Sequence, residues 1–244
     1  MNSITSLSRE WLRLARAASN ANRCEISPAV ATIEVDAEEA YGSDACRCQL
    51  DELLEACGYG TSNTVATTIF PYYLWNPRAP RSRLFDRYIK LLPRIRKHNR
   101  RGVYFERLIS YPGKRGQRGF NQLDHIITTY ANKNHRRSAL QASVLDPTQD
   151  LDNDAPVLGF PCMNQVGFLP NPEEKSLTVV AYYPMQYLFR RAYGNYLGLV
   201  RLGHFMAHEM GFACKRLICM AGVAKVEGHA SELRSLLSTY VDAA

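Results

Sequence analysis

Cys162 stands in the stretch GFPCMNQVGF, with Pro161 before it and Met163, Asn164 and Gln165 after it. A cysteine thiolate adds to electron-poor carbon, and nearby positive charge helps it form at neutral pH. Pro161 restrains the backbone ahead of the thiol. The two amides donate and accept hydrogen bonds at once, which suits the edge of a polar ring. Taken alone, the stretch fits either a packed structural thiol or a nucleophile.

Metal chemistry is less well served. Cys46 and Cys48 are two apart with Cys57 further on, but no second close pair completes a tetrahedral set, so reduced thiols are expected. His204 and His208 lie one helical turn apart, yet Glu209 follows the second histidine. The His-Glu-x-x-His pattern is therefore absent, and one packed and one exposed histidine are expected. PGKRGQRG, at 112–119, is glycine-rich and positive but lacks the Lys-Ser/Thr ending of a phosphate cradle, and reads as a flexible loop.

Periodicity predicts the elements that must position these groups. SREWLRLARAA is a helix with Trp11, Leu12, Leu14 and Ala15 on one side and Ser8 as N-cap; AVATIEVDA alternates as a strand. QLDELLEAC is a short helix stopped by Gly58, and TVATTIF, rich in β-branched residues, a strand closed by Pro71. RSRLFDRYIKLLPRIRKHN is a helix with Leu84, Tyr88 and Leu91 on one face, kinked or stopped at Pro93 and followed by a basic connection. NQLDHIITTYANK reads as a helix, SALQASVLD as a strand, and LTVVAYYPM as a buried strand with Tyr182 and Tyr183 on opposite sides. NYLGLVRLGHFMAHEMG is the longest helix, striped by Leu199, Leu202, Phe205, Met206 and Met210 and ended by Gly211. RLICMAGVAK is then a strand and ASELRSLLSTYV a terminal helix. Helices and strands alternating without regular βαβ spacing imply an α+β fold around a mixed sheet.

The 244 residues suit a single domain, 1–244, with a substantial core. With 46% hydrophobic and 22% charged residues the composition is globular, and no apolar run approaches the roughly 18 residues of a membrane span. The N-terminus lacks the continuous apolar stretch of a secretory signal, and an odd seven cysteines argue for reduced thiols, so a cytoplasmic protein is expected. Charge is uneven. Between Arg78 and Arg118 lie 14 of the 30 Lys and Arg residues against Asp86 and Glu106 alone, whereas Glu34 to Glu55 holds eight acids and one arginine. The basic block fits a solvated helix face and loop, or a surface for phosphates or nucleic acid.

From about Asn121 to Glu227 the chain resembles thymidylate synthase and its pyrimidine hydroxymethylase relatives. NQLDHIITTYANKNHRRSALQASVLDP leads to GFPC as that family's amide-Gln helix leads through Ser-Arg-Arg and a strand to Pro-Cys. LTVVAYYPMQYLFRRAYGNYLGLVRLGHFMA lies without gaps over the family's substrate strand and following helix, which places Asn195 on the base-reading asparagine. A weaker likeness extends to LDELLEACG, making Glu52 the catalytic acid, and to Asn22-Arg23, setting Arg23 on the mobile phosphate-binding arginine. The first 70 residues otherwise diverge.

The resemblance implies a thymidylate-synthase-like mixed β-sheet flanked by helices, and 5,10-methylenetetrahydrofolate as one-carbon donor. Cys162 would add to C6 of a pyrimidine; Asn195 would read N3 and O4, where cytosine-using relatives tend to carry Asp. Glu52 would relay protons at O4, and Arg136 and Arg137 would reach across a homodimer to the partner's substrate phosphate. The chain departs from the pattern at Pro184, Met185, Gln186 and Tyr187, in place of an arginine, a serine and an acid. It departs again at Met163 in place of His, and at Lys225 and Glu227 in place of the His and Tyr that hold the sugar. Loss of one charged phosphate contact removes about 1.5–3 kcal/mol of recognition, so ordinary dUMP is not the expected acceptor. Methyl and hydroxymethyl products both remain open. The alternatives are a protein of the same fold that binds nucleotides or nucleic acid without turnover, and a cysteine nucleophile working without folate.

Overall fold

The computed structural model describes residues 4–36, 44–99, 103–113, 119–133, 135–151 and 162–240. Residues 114–118 of the glycine-rich loop and Gly159 to Pro161 lie outside that set.

The strands are β1 (Glu25–Ile26), β2 (Ala29–Glu34), β3 (Gln141–Ser143), β4 (Gln165–Asn171), β5 (Ser176–Tyr187) and β6 (Ala213–Lys225). They form one mixed sheet in the order β1-β6-β5-β4-β3, with β2 also paired to β6. All pairs are antiparallel except β5 with β6. A parallel pair needs a crossover, and helix α8 (Tyr193–Met210) supplies it, entered through a π-helical turn at Leu188–Ala192 and closed by Gly211 in the left-handed conformation. One βαβ unit thus sits inside an otherwise antiparallel sheet, consistent with the expected α+β class. Along β2 the side chains alternate as read: Ala29, Ala31 and Ile33 face the core while Val30, Thr32 and Glu34 face out.

Helix α8 is the spine of the molecule. Gly203 lets it lie on the sheet, where a Cβ would come within 2.7 Å of Val179. Helix α1 (Ser6–Asn20) covers its start: Trp11 meets Tyr193 edge-on at 5.8 Å, and the Ser8 hydroxyl lies 2.8 Å from the Tyr193 hydroxyl. Ser8 is therefore a buried bridge, and Thr5 is the N-cap, its side chain accepting from the Ser8 amide. Trp11 Nε1 donates to the Leu188 carbonyl at 2.8 Å and ties α1 to the π-helical turn. Helix α2 (Ala45–Ala56) starts earlier than the periodicity suggests, capped by Asp44.

TVATTIF is a helix, not a strand: α3 spans Ser62–Ile69. Local bonding and packing override the β-propensity of its threonines. Thr61 caps the Thr64 amide, Thr67 donates to Asn63 O at 2.8 Å, and Thr68 to Val65 O at 2.7 Å. Val65, Ala66 and Ile69 are buried against Gly194 and Gly198 of α8.

Helix α4 (Arg81–His98) continues past Pro93 instead of stopping there. Pro93 and Ile89 lie on the exposed side, so the Ile89 carbonyl that loses its donor faces solvent. The basic connection contains a further helix, α5 (Tyr104–Ile109), whose Phe105 packs edge-on against Tyr88 at 4.7 Å. Helix α6 (Gln122–Ala131) carries a buried hub: Gln122 donates to Arg107 O at 3.0 Å and Ser143 O at 2.7 Å and accepts from the Ser143 amide at 2.9 Å, joining α5, α6 and β3. The stretch SALQASVLD forms only the three-residue β3 after a tight turn at Arg137–Ala139, then leads to α7 (Pro147–Asp150). Helix α9 (Ala230–Thr239) closes the described chain.

Candidate active site

Cys162 lies just before β4, held in place by the strands on either side. The Asn164 amide donates to Tyr182 O at 2.9 Å, and Asn164 O accepts from Val144 at 2.8 Å and Leu145 at 3.2 Å. Met163 points into the core and Cys162 is exposed. The thiol is thus not walled off by packing.

The charge that acts on Cys162 is that of Arg191, and the charge of the cysteine is felt in turn at Tyr104 and Tyr183. Burial of part of the thiol pushes its pKa up and the positive charge of Arg191 pulls it down, with a net rise. Tyr104, the first residue of α5, has its phenol pushed up to about 12 by burial and then by Cys162; the backbone amides of Met163 and Cys162 and the Arg191 charge oppose that rise. Tyr183, fully buried on β5 behind them, has its pKa raised chiefly by burial, and its hydroxyl has no hydrogen-bond partner among the described residues. Tyr182 faces outward at 37% exposure, so the two tyrosines do point opposite ways.

Strand ends gather further groups. β5 and β6 run parallel with Tyr187 opposite Lys225, and Gln165 at the start of β4 lies opposite Tyr182, so Cys162, the π-helical turn and Glu227 share one end of the sheet. Arg23 joins that end: it precedes Cys24, whose carbonyl accepts from the Val226 amide at 2.9 Å. Arg23 is exposed with φ 56°. Arg190 donates to Glu227 Oε1 from its backbone at 2.9 Å and from Nε at 3.0 Å, and its guanidinium lies 5.2 Å from the Tyr59 ring and 5.0 Å from the Tyr187 ring. Glu227 Oε2 is buried with no partner among the described residues, and burial raises the carboxyl pKa against the pull of Arg190.

Asn195 is 3% exposed in the first turn of α8, one turn beyond Arg191, and its amide makes no hydrogen bond among the described residues. Glu52 is exposed on α2, and Tyr59, just beyond that helix, touches Arg190, Phe189 and His229. Arg136 and Arg137 are exposed ahead of β3. Because β3 runs antiparallel to β4, with Gln141 opposite Gly167 and Ser143 opposite Gln165, they lie at the opposite end of β3 from the Cys162 side. Within one chain, therefore, the positive charge felt at the thiol is that of Arg191, and the arginine pair stands apart.

His204 is half-buried, its pKa lowered by burial, while His208 is exposed and lies 3.0 Å from Pro77 O. Sequence patterning does not single out Arg191, Arg190 or Tyr104. The doublet in FRRAYGN, directly ahead of a helix start, is the available signal for the arginines; Tyr104 is hidden in a stretch that reads as a basic connection. An open groove of about 410 Å³ lies elsewhere, on α4, lined by Pro80, Ser82, Arg83, Asp86, Arg87 and Lys90.

No protein-family model matches the chain, and no curated protein matches it. Among the described residues, no helix is long and apolar enough to cross a membrane.

Proposed function

We propose that the protein transfers a one-carbon unit, methyl or hydroxymethyl, to a pyrimidine-type ring through Cys162, on a thymidylate-synthase-like fold and with an acceptor other than ordinary dUMP. The observation that carries this reading is an exposed cysteine just ahead of β4, at the sheet end that leads into the π-helical turn, with the charge of Arg191 acting on it. Addition of the thiolate to C6 moves the C5–C6 π electrons onto C5 and O4, which makes C5 a carbon nucleophile. C5 would then bond to the one-carbon unit, and loss of the C5 proton to a base would release the donor's amine and leave an exocyclic methylene on the ring. Addition of hydride, or of hydroxide from water, to that methylene would expel the thiolate and restore the C5–C6 double bond. Arg191 favours the charged sulfur, Asn195 offers an unpaired amide to the ring edge, and Glu52 is the candidate proton relay.

The group at the turn that suits a reduced folate in type is Glu227, whose Oε2 is an unpaired buried acceptor for one N–H donor while Oε1 is held by Arg190, with the Tyr59 and Tyr187 rings close by. That group would supply carbon at the formaldehyde level and, for a methyl product, the hydride. A homodimer is part of the proposal. It is supported by the outer sheet face, which exposes Val30, Met220 and Tyr182 in register across β2, β6 and β5, and by Arg136 and Arg137 lying exposed and away from their own Cys162.

Mass spectrometry of the protein mixed with uracil or cytosine nucleotides, with and without methylenetetrahydrofolate, tests the reading. A covalent mass on Cys162 supports it; no adduct and no product with any pyrimidine would remove it. The groove on α4 favours a second reading. Arg83, Arg87 and Lys90 follow one another at helical spacing along it, and none forms an ion pair among the described residues, which suits the phosphates of a nucleic acid. Salt-sensitive binding of single-stranded oligonucleotides by a Cys162→Ala variant as strongly as by the wild type is the result expected of that reading.

A further inference from the structure

Helix α4 carries two sets of cations with different duties. Arg83, Arg87, Lys90, Arg94 and Lys97 follow one another at intervals of four, three, four and three residues, which keeps all of them on one face of the helix. All are exposed, and none forms an ion pair among the described residues. The arginines off that face are engaged: Arg81 pairs with Asp124 at 2.7 Å and with Glu209 at 3.7 Å, and Arg96 pairs with Glu106. At 1.5 Å per residue the exposed row runs roughly 21 Å. Its first two members also line a second, more enclosed cavity of about 50 Å³ between the helix and the preceding loop, with Trp75 and Asn76 among the other walls. That is several times the ~10–15 Å³ that admits one water, so the cavity has room for a phosphate-sized group and not for a nucleobase. Trp75 Nε1 is buried with no hydrogen-bond partner among the described residues. Tyr73, next to Leu74 of the cavity wall, is 67% exposed.

We infer that this row is a track for single-stranded nucleic acid, with one backbone phosphate seated in the Trp75 cavity and the Tyr73 ring as a stacking surface for an unpaired base. The inference deepens the nucleic-acid reading of the α4 groove and rests on it, adding the form of the strand and the stretch of helix it covers; it is independent of the chemistry at Cys162. Charge alone would also suit an anionic membrane. A helix that lies in a membrane surface needs its apolar side free, whereas here Leu84, Phe85, Tyr88 and Leu92 are buried, with Phe85 edge-on to Phe205 and Tyr88 edge-on to Phe105. A small anion would fill the cavity and leave Lys90, Arg94 and Lys97 unused. A duplex would offer Tyr73 no unpaired base. Asp86, the acid that lines the groove, sits beside the row and weakens its field.

Fluorescence anisotropy of labelled oligonucleotides with the whole protein, titrated at several salt concentrations, tests the site. A single strand of about 12 nucleotides should bind at least about tenfold more tightly than the duplex of the same sequence at equal salt. Each phosphate contact to a single strand contributes about 0.7 to the slope of log K against log salt. Arg94→Gln and Lys97→Gln should therefore each weaken binding and lower the slope by about that amount, while Lys215→Gln, at an exposed position on β6, should change neither. Asp86→Asn should tighten binding. Trp75→Phe keeps the ring packing and removes the N–H, and should weaken the single strand about fivefold, the effect of one lost hydrogen bond. Binding should also change the wild-type tryptophan fluorescence and not that of Trp75→Phe, since Trp11, the other tryptophan, is fully buried. Salt-sensitive binding that favours the duplex, or that keeps its slope in both Arg94→Gln and Lys97→Gln, overturns the inference and leaves the wider nucleic-acid reading standing. No binding of any oligonucleotide at about 50 mM salt removes both. Tighter association with phosphatidylserine vesicles than with the oligonucleotides assigns the row to a membrane and overturns the inference as well.

Discussion

Substituting Gly194 by alanine probes how α8 is seated, and with it the placement of Asn195. A Cβ at Gly194 would lie 2.5 Å from Val65 Cβ and 2.6 Å from the Ser62 carbonyl oxygen; at Gly198 it would lie 2.8 Å from Ala66 O and 2.9 Å from Ile69 Cβ. These neighbours are backbone or Cβ atoms, which no rotamer change can move. Helix α3 must retreat by roughly 0.9 Å, the gap between 2.5 Å and ordinary contact at 3.4 Å. Overpacking of this kind costs about 1–3 kcal/mol, and the better helix propensity of alanine returns about 1 kcal/mol. With rigid neighbours the upper part of the range applies, leaving a net loss of about 2 kcal/mol, or roughly 4–8 °C in Tm for a chain of this size. Thermal unfolding followed by circular dichroism measures it in Gly194→Ala and Gly198→Ala. Gly58→Ala serves as reference, since its φ of 77° is strained for alanine but nothing lies within 4 Å of the added atom. A Tm equal to or above wild type in both α8 variants would refute the close α3–α8 contact.

Three further outcomes are expected. Trp11→Phe keeps most of the apolar volume but leaves Leu188 O without its donor, so it should lower stability by about 1–3 kcal/mol and change the alkylation rate of Cys162; an unchanged rate would show that the π-helical turn does not depend on α1. Met220→Lys places a charge in the exposed row across β2, β6 and β5, and sedimentation should show a wild-type dimer become a monomer; a monomeric wild type contradicts the dimer. Because the Cys162 pKa is raised in the single chain, with Arg191 holding it down, its alkylation by iodoacetamide should still climb with pH above the ordinary thiol range. Arg191→Gln should move that profile further up, and a shift downward would mean that Arg191 is not the charge that matters.

The longest elements were the most legible. Helix α8, the β5 strand and the alternation of β2 each carry a strong period over many residues, and Gly211 marks the end of α8 as glycine in the left-handed conformation should. Where local preference and tertiary context disagreed, context prevailed. The threonines of α3 look like a strand until the glycines of α8, more than a hundred residues away, offer a helix its seat. Pro93 looks like a stop until α4 turns that side to solvent. Cys162 stands out by its neighbours in sequence, whereas the charge felt there, that of Arg191, comes from the π-helical turn that follows β5. Arg136 and Arg137, expected to serve a partner's site, lie at the far end of β3 from their own Cys162.

The most direct test of Cys162 as a ring nucleophile is exchange of the C5 proton of a pyrimidine nucleotide in D2O, followed by proton NMR. Reversible addition of the sulfur at C6 makes that proton labile even when no one-carbon donor is present. The account predicts that the C5–H signal of UMP, CMP or a related pyrimidine phosphate decays with the wild-type protein and persists with Cys162→Ser. Decay at the same rate with both proteins, or with neither across the pyrimidine phosphates, contradicts it.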